Sequence, residues 1–467
     1  MSILIFLVVL FVAMTLGAPI AFALMLTAIA LMWHLDFFDA QLLAQNVLAG
    51  IDSFPLLAVP FFVLAGELMN AGGLSRRIID LAQAFFGHIR GGLGLVAIGA
   101  AIMLASMSGS AIADTAALAT LLLPMMRRQN YPEGPSAGLI AAGGIIAPII
   151  PPSMPMVIYG VTTGTSITKL FLGGIVPGVL MGIALIFAWR WVQRGQDFAV
   201  APRQPWSARV KVLGSCVWAL MLPVIIVGGL RGGIFTPTEA AVVAAVYALF
   251  VATVVYRELD FKRLYHVLVA ASRTTAVVMF LCGAATASAY MITLADLPSE
   301  LADSLAPVMS DPRLFMVAVV MFLCGAATAS AYMITLADLP SELADSLAPV
   351  MSDPRLFMVA VVVFLLLFGM VMDLTPAILI LGPVLAPLAV KAGVDPVYFG
   401  VVFILTGSIG LITPPVGTVL NVVSGVGRLR METAVTGVLP FLTIYLILLG
   451  LLIAFPVIVT APLAWMS

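Results

Sequence analysis

Charge is what this chain has least of. Of its 467 residues only 21 are basic and 22 acidic, so 9% of the sequence is charged while 63% is hydrophobic and the mean hydropathy is +1.19. Soluble proteins carry roughly a quarter charged residues, and no soluble domain could bury this much apolar surface. The composition excludes a secreted globule, a nucleic-acid-binding protein and a peripheral membrane protein. At about 20 apolar residues per helical span, the length accommodates about a dozen crossings of a lipid bilayer. The net charge of −1 says little, because a membrane protein carries its charge in loops.

Cysteine and histidine are scarce as well. Cys216, Cys282 and Cys324 offer no disulfide framework and no zinc spacing, and His34, His88 and His266 are scattered. The sequence has no H-E-x-x-H, no G-x-x-x-x-G-K-[ST] and no G-x-S-x-G, so ATP hydrolysis and intramembrane proteolysis lack their usual signatures. No enzymatic activity and no cofactor is expected. The first residues also lack the basic leader of a signal peptide, and their apolar run is too long for one. Ile3–Trp33 is therefore expected to be a retained span.

What is present is a series of apolar blocks with short polar breaks. Several, such as Leu56–Met69, Ala116–Met126, Ala137–Ile150 and Ala377–Val390, are too short to span as plain helices and suit re-entrant or broken ones. The fold class expected is an all-α polytopic membrane protein. Arg190, Arg194, Arg203, Arg209 and Lys211 face the single acid Asp197 in one segment, which the positive-inside rule makes cytoplasmic. It divides the chain into a first half (1–189), a linker (190–211) and a second half (212–467). Leu74–Phe86 and Leu259–Ala270 read as amphipathic stretches near an interface.

The two halves share a pattern. Asp114-Thr115 precedes Pro124, and Asp373-Leu374-Thr375 precedes Pro383, at the same Asp-to-Pro distance. A small-residue-rich apolar segment then ends in a double proline, Pro151-Pro152 in IIPPSMPMVIYG and Pro414-Pro415 in LITPPVGTVLNV. Paired short segments interrupted by Gly and Pro in corresponding places point to a transporter built from inverted repeats, with its binding site at the breaks.

Four constellations could carry chemistry. Ser106–Asp114 (SMSGSAIAD) joins two short apolar arms like the tip of a helical hairpin. There Gly109 permits unusual torsions, and Ser108 and Ser110 offer hard oxygen ligands for a small cation. A polar helix–helix seam is the competing reading. Each double proline frees preceding carbonyls, which in hydrocarbon need an ion, water or a facing hairpin; plain kinks are the alternative. Asp114 and Asp373 are intramembrane acids, costly and usually functional, that either cap helices or line a substrate and ion path. Glu67 and Glu239 read as structural residues at helix ends. Thr162, Thr163, Thr165, Ser166 and Thr168 could donate to a carboxylate or cap the helix that follows.

Several blocks together carry a family resemblance. FPLLAVPFFVLAGELMNAGGLSRRIIDLA (Phe54–Ala82), IIPPSMPMVIYGVTTGTSITKLFLGGIVPG (Ile149–Gly178), GGLRGGIFTPTEAAVVAAVYAL (Gly228–Leu249) and GLITPPVGTVLNVVSGVG (Gly410–Gly427) resemble the signature blocks of the large membrane subunit of tripartite ATP-independent periplasmic (TRAP) transporters. The resemblance implies an elevator-type secondary transporter, with two re-entrant hairpins and two broken helices, in the bacterial inner membrane. It implies a sodium gradient as driving force and a soluble periplasmic binding protein that delivers substrate. A small four-helix membrane subunit is expected as a separate chain. The substrate would be a small organic acid such as a C4-dicarboxylate, a sialic acid or a 2-oxo acid. Carried over by motif, one sodium site would involve Ser106 and Ser108 with Ala147, Ile150 and Pro152. The second would involve Gly369, Gly410, Thr413 and Val416, and substrate would sit near Asp114, Thr115, Thr375 and Asn421. A stand-alone carboxylate carrier of the same architecture is the competing function, and a membrane enzyme or inert scaffold is a more distant one.

The length holds one surplus. Residues 276–317 and 318–359 are identical letter for letter, and the 467-residue chain less one 42-residue copy leaves the 425 that the resemblance accounts for. The absence of drift points to a recent tandem duplication or an assembly error rather than a solenoid array. Each copy has one apolar stretch of near-spanning length, Ala276–Leu294 and Ala318–Leu336, and one amphipathic stretch, Ser299–Met309 and Ser341–Met351. An extra single crossing would invert everything after it, whereas a copy that loops out or lies at the interface would spare the transporter core; the duplicated chain is expected to transport poorly, and deletion of one copy to restore activity or leave it intact.

Overall fold

The computed structural model describes residues 2–194, 202–295, 353–370 and 372–466, and every regular element among them is helical. The chain opens with α1 (Ser2–Thr15), α2 (Ile20–His34), α3 (Ala40–Ile51), α4 (Ala58–Ala71) and the amphipathic α5 (Leu74–Phe86). A first hairpin follows, α6 (Gly92–Ser108) and α7 (Ala111–Arg128). After it come α8 (Glu133–Gly144), α9 (Met154–Thr163) and α10 (Ile167–Val192). Next are α11 (Trp206–Arg231), α12 (Pro237–Phe250, continued by a π turn to Val255) and α13 (Phe261–Leu294). The last set is α14 (Pro354–Gly369), α15 (Leu374–Lys391), α16 (Pro396–Gly410), α17 (Thr418–Gly427), α18 (Met431–Ala454) and α19 (Val457–Met466). Among the described residues seven helices are long and apolar enough to cross a bilayer; shorter apolar helices include both halves of each broken helix except α8.

Two runs repeat element for element. Hairpin α6–α7, broken helix α8–α9 and long α10 have 17, 18, 12, 10 and 26 residues. Hairpin α14–α15, broken helix α16–α17 and long α18 have 16, 18, 15, 10 and 24. The repeats interlock: α7 packs on α17, α15 on α9 and α18 on α8. The remaining helices make a second group, with α2, α3 and α4 against α13 and α4 against α12. Amphipathic α5 packs on both α6 and α11 and so joins the two groups.

Contacts fix which way each helix runs. Thr238 donates to the Phe54 carbonyl at one end of the α4–α12 pair (3.3 Å), and Gly72 abuts Ala252 at the other. These two helices are therefore parallel, and their far ends meet where Arg77 pairs with Glu258 at 2.5 Å. On that same face lie the base of hairpin α6–α7, where Arg127 donates to the Gly427 carbonyl (2.6 Å), and the end of α10, where Trp189 donates to Gly91 (3.0 Å). This is the cationic face, with Arg127, Arg128, Arg190, Arg428 and Arg430. Tyr398 donates to Leu452 (3.0 Å) on the opposite face, where α16 begins and α18 ends. Hairpin α14–α15 opens there. The two hairpins thus enter from opposite sides, and the repeats are inverted.

Three expectations need correction. Ile3–Trp33 is two helices, because Gly17 turns at φ +83° and Pro19 has no amide to continue the ladder. Leu259–Ala270 is no separate amphipathic helix but the start of the 34-residue α13, since nothing between Ala270 and Ala276 breaks the ladder. Glu67 lies inside α4 rather than at its end, while Glu239 does sit at a helix start, in a capping box with Thr236. Leu74–Phe86 is the amphipathic helix α5 with the expected bounds.

The surplus copy falls between α13 and α14. The stretches Ser299–Met309, Ala318–Leu336 and Ser341–Met351, with Cys324, lie outside the described residues, as do Asp197 and the middle of the linker. Helix α13 draws its second half from the first copy, and α14 draws Pro354–Val359 from the second. The end of α13 and the start of α14 lie on the same, non-cationic face, so the second repeat keeps its inverted orientation. Packing also selects which copy builds the hairpin. Pro312–Val320 repeats Pro354–Val362, but a hairpin built from it would put Ala327 where Gly369 stands. A Cβ there would sit 2.9 Å from the Gly410 Cα, closer than real Cβ contacts.

The two repeats meet most tightly along α8 and α18. A Cβ on Gly437 would lie 1.9 Å from the Gly134 carbonyl oxygen, and one on Gly138 would lie 2.1 Å from that of Gly437. Small residues let membrane helices approach to backbone contact, and Tyr445 donates to the Ala142 carbonyl (2.8 Å) one turn further on. Gly437→Ala is expected to cost about 1–3 kcal/mol of overpacking, read as a lower melting temperature of the detergent-purified protein. Gly450→Ala, with nothing within 4 Å, is expected to leave it unchanged. Equal behaviour of the two variants would contradict the close α8–α18 contact.

Candidate functional site

Each hairpin tip meets one helix break. At the first tip α6 ends at Ser108, Gly109 turns in the left-handed region (φ +63°) and Ser110 opens α7. Ser110 is the N-cap, its hydroxyl accepting from the Ala113 amide at 3.3 Å. This corrects the capping role weighed for Asp114, which stands one turn inside α7. Its carboxylate instead accepts from the Ser108 hydroxyl, which also accepts from the Ser110 amide at 3.1 Å. Asp114 is 2% exposed, and its Oδ2 has no hydrogen-bond partner. No cationic side chain pairs with it among the described residues.

The facing break runs from Ile145 to Ser153. The Pro151-Pro152 peptide is cis, as is Pro414-Pro415 in the second break. Ser153 caps α9 and donates to the Pro148 carbonyl at 2.5 Å. The carbonyls of Ala147, Ile150 and Pro152 accept no hydrogen bond from the described residues. The hairpin tip lies on this break: a Cβ on Gly109 would meet the Pro152 oxygen at 2.5 Å and the Ser153 Cα at 3.0 Å.

The second tip is similar but not identical. Asp373 is here the true N-cap, accepting from the Leu374 amide at 2.9 Å. Gly369 and Gly410 are in backbone contact, which brings the end of α14 onto the start of the second break. In that break Thr413 donates back to Ile409 (2.8 Å), and Asn421 donates to the Val416 carbonyl (3.3 Å). Thr418 at the start of α17 holds a buried hydroxyl without a partner.

The structure thus brings Gly109 of the first tip to Pro152, and Gly369 to Gly410. Ser106 donates to the Met103 carbonyl (2.7 Å), within its own helix. Thr115 is buried against Gly144, its hydroxyl unpartnered, whereas Asn421 and Val416 are exposed and Thr375 is half-buried. No hydrogen bond joins Asp114, Thr115, Thr375 and Asn421 to one another. The threonine run is spent locally: Thr162 and Thr163 bond back within α9, Thr163 pairs with Thr165 (2.8 Å), and Ser166 caps α10. Sequence reasoning missed Ser110 as a cap, Ser153 as the donor bridging the first break and Thr418 as an orphan beside the second. Each adjoins a proline or glycine break, the one signal that marks it.

The profile of a family described as the DctM component of tripartite ATP-independent periplasmic transporters matches residues 7–323 and 314–458. The chain belongs to this family. The two matched pieces overlap at 314–323, across the junction of the duplicated copies. Relatives match over nine tenths of the chain or more. The 2,3-diketo-L-gulonate TRAP transporter large permease protein YiaN of Escherichia coli is 50% identical over 470 aligned residues, covering 100% of both chains. The sialic acid large permease SiaM of Vibrio cholerae is 37% identical, covering 94% of this chain and 93% of its own. The C4-dicarboxylate large permease DctM of Pseudomonas aeruginosa is 34% identical, covering 91% and 90%. A solved structure of the Alcanivorax borkumensis YdaH transporter matches with a TM-score of 0.56 over 91% of each chain at 15% identity, a likeness of fold alone. The protein is a multi-pass membrane permease of the TRAP large-subunit family.

The tip contact gives a graded expectation. Gly109→Ala combines a left-handed torsion costing about 1–2 kcal/mol with a clash against Pro152, whereas Gly164→Ala at φ +69° has open space around it. Gly109→Ala is expected to lower thermal stability more than Gly164→Ala. The reverse order would remove the tip from the break.

Proposed function

We propose that this permease moves a small organic acid inward, coupled to sodium, with the substrate delivered by a soluble periplasmic binding protein. A small four-helix membrane subunit completes the transporter, and the complex sits in the bacterial inner membrane with the cationic face in the cytoplasm. The observation that carries this reading is the pairing of each hairpin tip with a helix break. The break with unbonded carbonyls at Ala147, Ile150 and Pro152 meets, at Pro152, a tip that holds the Ser108 hydroxyl and the unpaired Asp114 carboxylate. Oxygen ligands of this kind suit a hard cation, and a buried carboxylate without a counter-charge is costly until a cation or proton joins it. The first sodium site is assigned to Ser106, Ser108, Ala147, Ile150 and Pro152. The second is assigned to Gly369, Gly410, Thr413 and Val416.

The substrate belongs between the tips. Thr375 and Asn421 are its accessible candidates, while Asp114 and Thr115 support the site from behind. The relatives are named for 2,3-diketogulonate, sialic acid and C4-dicarboxylates, all small acids bearing a carboxylate, and the substrate proposed is an acid of that class. The interlocked repeats form the moving body of an elevator, and α2–α4 with α11–α13 form its frame.

The test is uptake into proteoliposomes holding this chain, the small subunit and the binding protein. Accumulation is expected only with an inward sodium gradient and all three components. Uptake indifferent to sodium would overturn the coupling, and uptake by this chain alone would favour a stand-alone carrier. Because the second repeat keeps its orientation, deleting 318–359 is expected to leave uptake at least as fast as that of the 467-residue form. Robust uptake that is lost on deletion would show the surplus copy to be functional.

A further inference from the structure

We infer that the junction of α5 and α11 on the cationic face binds the phosphate of an anionic phospholipid, gripped by Arg209 and His88. This site is separate from the hairpins and stands whatever the transported solute is. The end of α5 meets the start of α11 through an edge-on contact of Phe85 and Trp206, ring centres 6.5 Å apart. One turn on, and on the same side of α11, the Arg209 guanidinium lies 5.8 Å from the Phe85 ring centre. Its Nη2 is 3.3 Å from His88 Nδ1. Guanidinium can only donate, so Nδ1 accepts in this contact and Nε2 is left to donate elsewhere.

Arg209 is only 6% exposed, and its Nε has no hydrogen-bond partner. It forms no ion pair with a described carboxylate. The two helices carry one acid between them, Asp80, which interacts with Arg76 and Arg77. Among the described residues the imidazole of His88 is the one polar partner of this buried cation, and none of them supplies a counter-charge. A phosphate supplies one, and the planar fork of guanidinium matches it through two parallel hydrogen bonds.

The same chemistry would hold a free phosphate, but the surroundings favour a lipid. Trp206 is 67% exposed, and Phe86 and Ile89 at the end of α5 are exposed as well. Tryptophan of this kind settles at the headgroup level. The neighbouring linker is cationic, as are juxtamembrane segments that attract anionic lipids.

The test is native mass spectrometry of the purified full-length protein with phosphatidylglycerol, phosphatidylcholine or inorganic phosphate. Phosphatidylglycerol is expected to bind about tenfold more tightly than phosphatidylcholine, and millimolar inorganic phosphate is expected not to displace it. Arg209→Gln should weaken phosphatidylglycerol binding about tenfold. Arg209→Lys, which keeps the charge and loses the fork, should weaken it less and serves if the first variant does not fold. Arg203→Gln on the exposed linker should change nothing. Equal binding by the wild type and the Arg209 variants overturns the site. Displacement by inorganic phosphate, without preference between the lipids, overturns the lipid source.

Discussion

A backbone carbonyl inside a bilayer needs a partner, and this fold is organised around two places where the helix that would supply it is interrupted. Each double proline lies in the break between two half-helices, where the helix ladder cannot continue. A hairpin tip lies against each break, Gly109 on Pro152 and Gly369 on Gly410, in contacts that a single Cβ would disturb. The rest of the transport body serves these contacts. The α8–α18 glycine seam, the Tyr445–Ala142 bond and the Arg127–Gly427 bond hold the two repeats in register.

The two tips are related but unequal. Asp373 spends its carboxylate on capping α15, as an acid at a helix N-terminus should. Asp114 at the matching place in sequence leaves capping to Ser110 and keeps one oxygen without a partner. An inverted repeat that was purely structural would treat its two acids alike. The asymmetry marks the first tip as the one with an unmet electrostatic need.

Much of this was legible in the sequence, and the failures have physical causes. Short apolar arms flanking Ser-Gly-Ser gave the first hairpin, and two double prolines gave the breaks, because those residues act on their own backbone. The split of the first apolar run was missed because hydropathy is blind to backbone: Gly17-Ala18-Pro19 is as apolar as its flanks but cannot stay helical. The role of Asp114 was misjudged by one turn, since Ser110 competes for the same amides. The interlock of α7 with α17 and α9 with α15 joins residues some hundreds of positions apart and leaves no local trace. The duplication was plain in the sequence, but its consequence was not. Only the shared face of the α13 end and the α14 start shows that the second repeat keeps its orientation.

The inverted entry of the two hairpins is tested most directly by thiol accessibility. In a chain without Cys216, Cys282 and Cys324, single cysteines at Arg128→Cys and Lys391→Cys mark the bases of the first and second hairpins. A membrane-impermeant maleimide applied to intact cells is expected to label the Lys391→Cys chain and to spare the Arg128→Cys chain until the membrane is opened. Labelling of both from one side would contradict the inverted repeat and the binding site proposed on it.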